Sequence, residues 1–155
     1  MRMNYWLMKN EVSDYCIDDL KKDRATDWTG VRNYQARNFM RDQMEDGDLA
    51  FFYHSNANPS GAAGVMKIIG PAKADITQFD KKLKYYDPKA TKEIPRWMLR
   101  RVQFVKKLPR LVSIQEMRSL KACKDMMALR KGSRLSITPL KKIEWEAILK
   151  AAENS

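Results

Sequence analysis

The chain has 155 residues and a mass of 18.1 kDa, the size of one ordinary domain and enough to close a core without metals or disulfides. Apolar residues make up 44% and charged residues 32%, a globular composition rather than a disordered one. Thirty Lys and Arg against 19 Asp and Glu give a net charge of +11, which favours anionic partners, and no apolar run reaches the length of a helical membrane span.

Residues 4–9 (NYWLMK) are aromatic and aliphatic almost without a break and predict a buried strand. Ser13 is placed to cap a helix over 14–23, with Asp14 at its positive end and Cys16, Ile17 and Leu20 at helical spacing. Trp28-Thr29-Gly30 predicts a turn. Residues 33–45 predict a second helix, with Tyr34, Phe39, Met40 and Met44 as its apolar positions and Asp46-Gly47-Asp48 as its end. Residues 49–54 (LAFFYH) predict another buried strand. The polar loop 56–61 joins it to a strand over 62–69, a hairpin with a long connection closed by Gly70-Pro71. Residues 71–95 are expected to be irregular, and 96–108 to form a long basic strand. Ser113-Ile114-Gln115-Glu116 is a capping-box pattern before a short helix. Lys131-Gly132-Ser133 predicts a turn and 134–137 a short strand. Thr138-Pro139 then fits the N-cap and first position of a final helix, whose apolar face is Leu140, Ile143, Ala147, Ile148 and Ala151. Strands and helices mix without the regular alternation of a parallel α/β protein. The expected class is α+β, a curved and mostly antiparallel sheet with helices packed around it, in a single domain over 1–155.

Charge is unevenly divided. Residues 1–80 hold 10 Lys and Arg against 12 acids, and residues 81–155 hold 20 against 7. Within 81–110 bases and aromatics interleave, among them Lys82, Lys84, Tyr85, Trp97, Arg100, Arg101, Lys106 and Lys107. Phosphates need cations and unstacked bases need flat rings, so the composition suits a nucleic-acid partner. It equally suits a solvated strand face with its aromatics in the core.

Two cysteines far apart, Cys16 and Cys123, offer neither a disulfide framework nor a paired-Cys zinc site. With ten methionines they fit a reducing cytosol, and MRMNYWLMKNEV at the start does not read as a secretion signal. A cytoplasmic monomer without cofactor or metal is expected. His54 is the only histidine. Its neighbour Ser55 would point to the opposite face of a strand, so a hydrogen-bonded or pocket-lining His54 is favoured over a catalytic one. Asp18-Asp19 reads as an exposed helix face, and no phosphate-cradling glycine motif is present. The densest recognition chemistry is WTGVRNYQARN at 28–38. Trp28 offers a flat face, Asn33, Gln35 and Asn38 offer amides that match a base edge, and Arg32 and Arg37 can fork onto phosphate or stack on a ring. An amphipathic helix with a core Trp has the same pattern.

Several long motifs occur together and in order: WLMKNE at 6–11, WTGVRNYQARNFMRD at 28–42, GDLAFFYHSN at 47–56, KYYDP at 84–88, PRW at 95–97 and RLSITPL at 134–140. In this the chain resembles the EVE-domain proteins over nearly its whole length. The resemblance implies a PUA-like fold, a curved β-barrel with flanking helices related to YTH domains, and binding of a modified nucleobase in DNA or RNA. It also implies a base pocket. Trp28 would be a cage wall, with Lys9 at the end of the first strand. Asn33, Tyr34 and Arg37 come from the second motif, His54, Ser55 and Asn56 from the end of the second predicted strand, and Tyr85 and Trp97 from KYYDP and PRW. The chain departs from the family pattern at Asn10, Val12 and Thr29, of which Asn10 and Thr29 would border the pocket.

The expected function is therefore a non-catalytic reader of a modified base. Lys82, Lys84, Arg100, Arg101, Lys106 and Lys107 would hold the nucleic-acid backbone. The competing readings are an enzyme using His54, Lys9 or Glu11 as acid–base groups, and a small-molecule or protein-interaction module. Trp28→Ala is expected to remove base discrimination with little change in stability if the ring lines an open pocket.

Overall fold

The computed structural model describes residues 3–130 and 135–154. Six strands form one mixed sheet: β1 (Tyr5–Glu11), β2 (Ala25–Trp28), β3 (Leu49–Ser55), β4 (Gly61–Ala74), β5 (Met98–Ser113) and β6 (Ile137–Leu140). Four helices accompany them: α1 (Ile17–Asp23), α2 (Tyr34–Asn38), α3 (Ile114–Ser119) and α4 (Lys142–Glu153). The strand order is β2-β5-β4-β3-β1-β6. Only β1 and β3 pair in parallel. A parallel pair needs a long crossover, and residues 12–48 supply it, carrying α1, β2 and α2.

The unbroken apolar runs at β1 and β3 follow from burial on both faces. Trp6, Met8, Ala50 and Phe52 face one core, which Ile17, Leu20, Ala36 and Met40 complete. Leu7, Phe51 and Tyr53 face a second core with Met117, Cys123, Trp145 and Ile148. Register shifts interrupt the β4–β5 pairing at three places, and such bulges bend and twist long strands. The consequence is visible in the first core, where Trp28 of edge strand β2 and Ile137 of edge strand β6 share one cluster. The sheet curls until its two edges face each other, but among the described residues no ladder joins them. The fold is the expected α+β class, a barrel-like curl with an open seam.

Local expectations failed where packing outweighed pattern. The helix expected from Ser13 starts at Ile17, because the main chain of Glu11 accepts from Asp14 and Tyr15 and makes a turn of residues 11–15. Residues 25–28 pair with β5, although ATDW alone has no strand period. The helix expected over 33–45 is α2 followed by a π-turn over Phe39–Gln43. The strand expected to close at Gly70-Pro71 runs on to Ala74, and β5 runs to Ser113. Ser113 does cap α3, its hydroxyl accepting from Glu116 N–H at 3.1 Å. The Glu116 carboxylate, however, turns to Arg110 instead of closing the box. Thr138 and Pro139 are not a cap: they lie in β6, and Lys141 precedes α4. Ile143 is exposed and Trp145 takes its place in the core. The turn expected at 131–133, and Arg134 of the expected strand, lie outside the described residues.

Candidate functional site

A hollow opens at the seam. It has two adjoining lobes of about 300 and 310 Å³ that share Asn10, Asp14, Trp28, Thr29 and Tyr85. Tyr15, Thr26, Asp27 and Lys84 complete the first lobe. Lys9, Glu11, Gly30, Val31, Ser55, Leu135 and Ser136 complete the second. The position has a simple cause. Strand β6 pairs β1 only from Tyr5 to Met8, with one further bond from Lys9 N–H to Ser136 O. The end of β1 beyond Lys9 is therefore left facing the end of β2. A larger cleft of about 620 Å³ lies at the other end of β1, near Met3 and Lys141, and contains none of the expected site residues.

Three aromatic residues, Trp28, Tyr15 and Tyr85, line the hollow. Trp28 ends β2 opposite Arg100 of β5 and meets Phe52 edge-on at 5.2 Å. Its ring is 6% exposed, so it is at once a core side chain and a cavity wall. The condition attached to a harmless Trp28→Ala, a ring that only lines an open pocket, is therefore not met. Removing a buried Trp costs about 3–5 kcal/mol. Tyr15 stacks on the same Phe52 at 6.3 Å and donates its hydroxyl to Asp23 at 2.8 Å. Burial and that carboxylate push its pKa up to about 12.

Tyr85 is placed by Arg32. The guanidinium donates twice to the Tyr85 carbonyl, at 3.1 and 2.7 Å, and also to Thr77 Oγ1 at 3.0 Å and Asp75 at 3.1 Å. Asp75 is fully buried and accepts from Gly30 N–H at 2.8 Å. The long segment after β4 is thus bolted to the turn that follows Trp28. Gly30 sits at φ +82°, and a Cβ there would lie 2.6 Å from the Tyr85 ring. The ring rests on the glycine main chain, which only glycine allows in that conformation.

Polar groups line the space between the rings. Asn10 donates to the carbonyl of Tyr15 at 3.0 Å, and its amide oxygen accepts no hydrogen bond among the described residues. Thr29 is exposed. Lys84 and Asp14, both lining the first lobe, approach to 3.8 Å. Of the expected pocket residues, the fold thus gathers Lys9, Asn10, Trp28, Thr29, Ser55 and Tyr85. Burial lowers the Lys9 pKa from its ordinary value, and its ammonium lies 5.3 Å from the Tyr53 ring.

The other expected pocket residues are elsewhere. His54 accepts the Ile17 N–H on Nε2 at 3.1 Å, serving the start of α1, and burial lowers its pKa. Asn56 donates to Glu11 at 2.9 Å. Asn33 caps α2, its side chain accepting from Ala36 N–H at 3.0 Å. Tyr34, Arg37 and Trp97 form a separate outer stack behind Arg32. Asn33, Tyr34 and Arg37 are spent on α2 and the outer stack, whereas His54 and Asn56 at the end of β3 are spent on the α1 main chain and on Glu11. The residues that pattern reasoning missed include Asp14, Tyr15, Thr26, Leu135 and Ser136. They come from segments brought together only by the curl. Gly30 was legible only as part of the Trp28-Thr29-Gly30 turn and not as a lining residue.

The cationic set also divides. Arg100, expected on the surface, is a correction: it is 4% exposed and donates to the carbonyls of Met40, Met44 and Gly70 at 2.7–3.1 Å. It satisfies the end of the π-turn and cannot reach a phosphate. Arg101 pairs with Asp27 and Lys107 with Asp18. Lys82 and Lys106 are exposed and enter no ion pair among the described residues.

Comparison with known proteins places these features in a family. The EVE domain family model matches residues 4–151. Human thymocyte nuclear protein 1 is 39% identical over 168 residues, covering 97% of this chain and 74% of that protein. Among solved structures, a hypothetical protein from Leishmania major superposes with a TM-score of 0.94 at 39% identity, covering 98% of this chain and 96% of that one. Human thymocyte nuclear protein 1 in complex with DNA containing 5-methylcytosine superposes with a TM-score of 0.91 at 39% identity, covering 98% and 99%. A YTH domain of Zygosaccharomyces rouxii in complex with N6-methyladenosine RNA, 13% identical with a TM-score of 0.58, shares the fold alone.

Proposed function

Because this chain belongs to the EVE-domain family, we propose that it is a non-catalytic nucleic-acid-binding module that reads one modified base in the seam hollow. The observation that carries this reading is that Trp28, Tyr85, Asn10 and Thr29 line both lobes of one hollow. The 39%-identical human relative in complex with 5-methylcytosine DNA supports the same ligand class. Each lobe is at the small end of ligand pockets, a size suited to a single heterocycle rather than a folded ligand.

The energetics are those of extrusion. Taking a base out of its stack costs a few kcal/mol, and stacking on an aromatic wall returns about 1–3 kcal/mol. The Asn10 amide, able to donate and accept, reads the base edge. A methyl group in an apolar notch adds about 1–3 kcal/mol, so preference for modified over plain base has a ceiling of roughly 10–200-fold. Lys82 and Lys106 add strand affinity that falls as salt rises. His54 is committed to the α1 main chain, which favours binding over acid–base chemistry for this group.

The direct test uses Tyr85, because it is half-buried and its ring can be removed at less cost to the fold than Trp28. Affinities of wild type and Tyr85→Ala are measured for otherwise identical oligonucleotides with 5-methylcytosine or cytosine at one central position. The preference of the wild type should fall towards one in the variant. An unchanged ratio refutes the pocket.

A further inference from the structure

The outer stack contains a half-exposed aromatic ring, Tyr34. Tyr34 stacks on Trp97 at 4.8 Å with an interplanar angle of 20°, yet Tyr34 is 50% exposed. The Arg37 guanidinium lies 4.7 Å from the Tyr34 ring and 6.0 Å from the Trp97 ring. A guanidinium directly opposite Trp97 across the Tyr34 ring would lie about 9.5 Å from the Trp97 centroid, the sum of the two separations. Arg37 therefore does not stand opposite Trp97 across the ring, which agrees with the half-exposure of Tyr34 and leaves the face away from Trp97 for a ligand.

The ring is held firmly for an exposed side chain. Trp97 beneath it is buried and donates its indole N–H to Asp87 at 2.7 Å. Arg37 is fixed by its bond to the Arg96 carbonyl at 2.8 Å, and Arg96 reaches the Tyr34 hydroxyl at 3.3 Å. Neither Arg37 nor Arg96 enters an ion pair among the described residues, so both keep charge for an anion. A rigid open ring bordered by two such cations suits a π-face joined to phosphate.

The stack is also continuous with the hollow. Arg32 lies 5.2 Å from the Tyr85 ring and 5.4 Å from the Trp97 ring. Tyr85 walls the hollow and Trp97 carries Tyr34, so one row of packed side chains joins the two places. We infer that the open face of Tyr34 is a second nucleotide platform, stacking an unmodified base of the strand whose modified base occupies the hollow, with Arg37 and Arg96 taking the adjoining phosphates. The inference rests on the nucleic-acid reading above and extends it to a residue outside the pocket.

The test compares wild type, Tyr34→Ala and Tyr34→Phe by fluorescence anisotropy. The probes are single-stranded DNA oligonucleotides carrying one central 5-methylcytosine or cytosine, and free 5-methyldeoxycytidine monophosphate as competitor. Tyr34→Ala should lose roughly 5–150-fold in affinity for both strands alike, the range that stacking on one ring supplies. Tyr34→Phe, which keeps the ring, should stay close to wild type, and the mononucleotide should compete at the hollow equally well in all three. Unchanged strand affinity in Tyr34→Ala overturns the platform. So does a loss confined to the methylated strand, or an equal loss in Tyr34→Phe. A wild type that binds both strands equally defeats the base-reading hollow alone, and Tyr34→Ala then still decides the platform. A wild type that binds neither strand defeats both.

Discussion

Gly30→Ala isolates the contact that shapes the hollow. Alanine at φ +82° meets the left-handed penalty of about 1–2 kcal/mol. The reduced freedom of the unfolded chain returns about 0.4–1 kcal/mol, so the backbone term is about 1 kcal/mol. The steric term concerns the Tyr85 ring, 2.6 Å from the new Cβ. Arg32 holds the Tyr85 carbonyl, so the main chain at 85 stays and the ring must swing on its own torsions. Tyr85 is half-buried, and solvent is open to receive the ring. The variant should thus fold with only the backbone cost, yet lose one wall of the hollow. Urea denaturation of wild type, Gly30→Ala, Tyr85→Ala and the double variant gives the cycle that separates the terms. The coupling should be small, while affinity for a 5-methylcytosine strand falls by the factor one stacking face supplies, roughly 5–150-fold. Wild-type affinity in Gly30→Ala would show that the ring over this glycine is no wall. A large coupling energy would show that the ring is locked and the swing is wrong.

Two further outcomes follow from buried charge. Arg32→Met leaves the Asp75 carboxylate buried without its cation, which costs about 3–5 kcal/mol in comparable cases. The N–H bonds from Gly30 and Thr77 remain, so urea denaturation should show a loss near the lower end. Arg32→Lys should recover little of it, since an ammonium cannot span Asp75, Thr77 and the Tyr85 carbonyl as the planar fork does. His54 gives a pH dependence: its folded pKa lies below the ordinary 6.5 through burial, with Asp18 opposing and Lys107 reinforcing the shift. The unfolded chain therefore binds more protons between the two values, so stability is complete above about 6.5 and falls as pH drops through it. The thermal midpoint should decline over that interval, and His54→Gln, which keeps an acceptor for Ile17 N–H, should flatten the decline.

Much of the architecture was legible because it rests on local pattern. The double-sided burial of β1 and β3 shows as apolar runs that no exposed strand would carry, and the α+β class follows from the order of elements. Where the pattern is short or shared, packing decided. Nothing in ATDW distinguishes a strand from a turn until β5 offers it a partner. Thr138-Pro139 has the residue types of a helix start, yet it completes a sheet edge, where proline costs no ladder bond.

The candidate site divides along the same line. Trp28 could be named from the sequence as a flat face in a polar cluster, because a ring face is a property of the residue itself, while Thr29 and Tyr85 came as pocket residues only from the family resemblance. Which of them share a cavity is a property of the curl. The chain alone determined that a cationic, aromatic-rich α+β domain would form. Only the tertiary structure decided that Arg100 is spent on main-chain carbonyls, that Tyr34 and Trp97 stand outside the hollow, and that Asp14, Tyr15 and Ser136 belong to it. The physical reason is that a cavity between two sheet edges is built from residues far apart in the chain, and their meeting depends on bulges and register that no local pattern records.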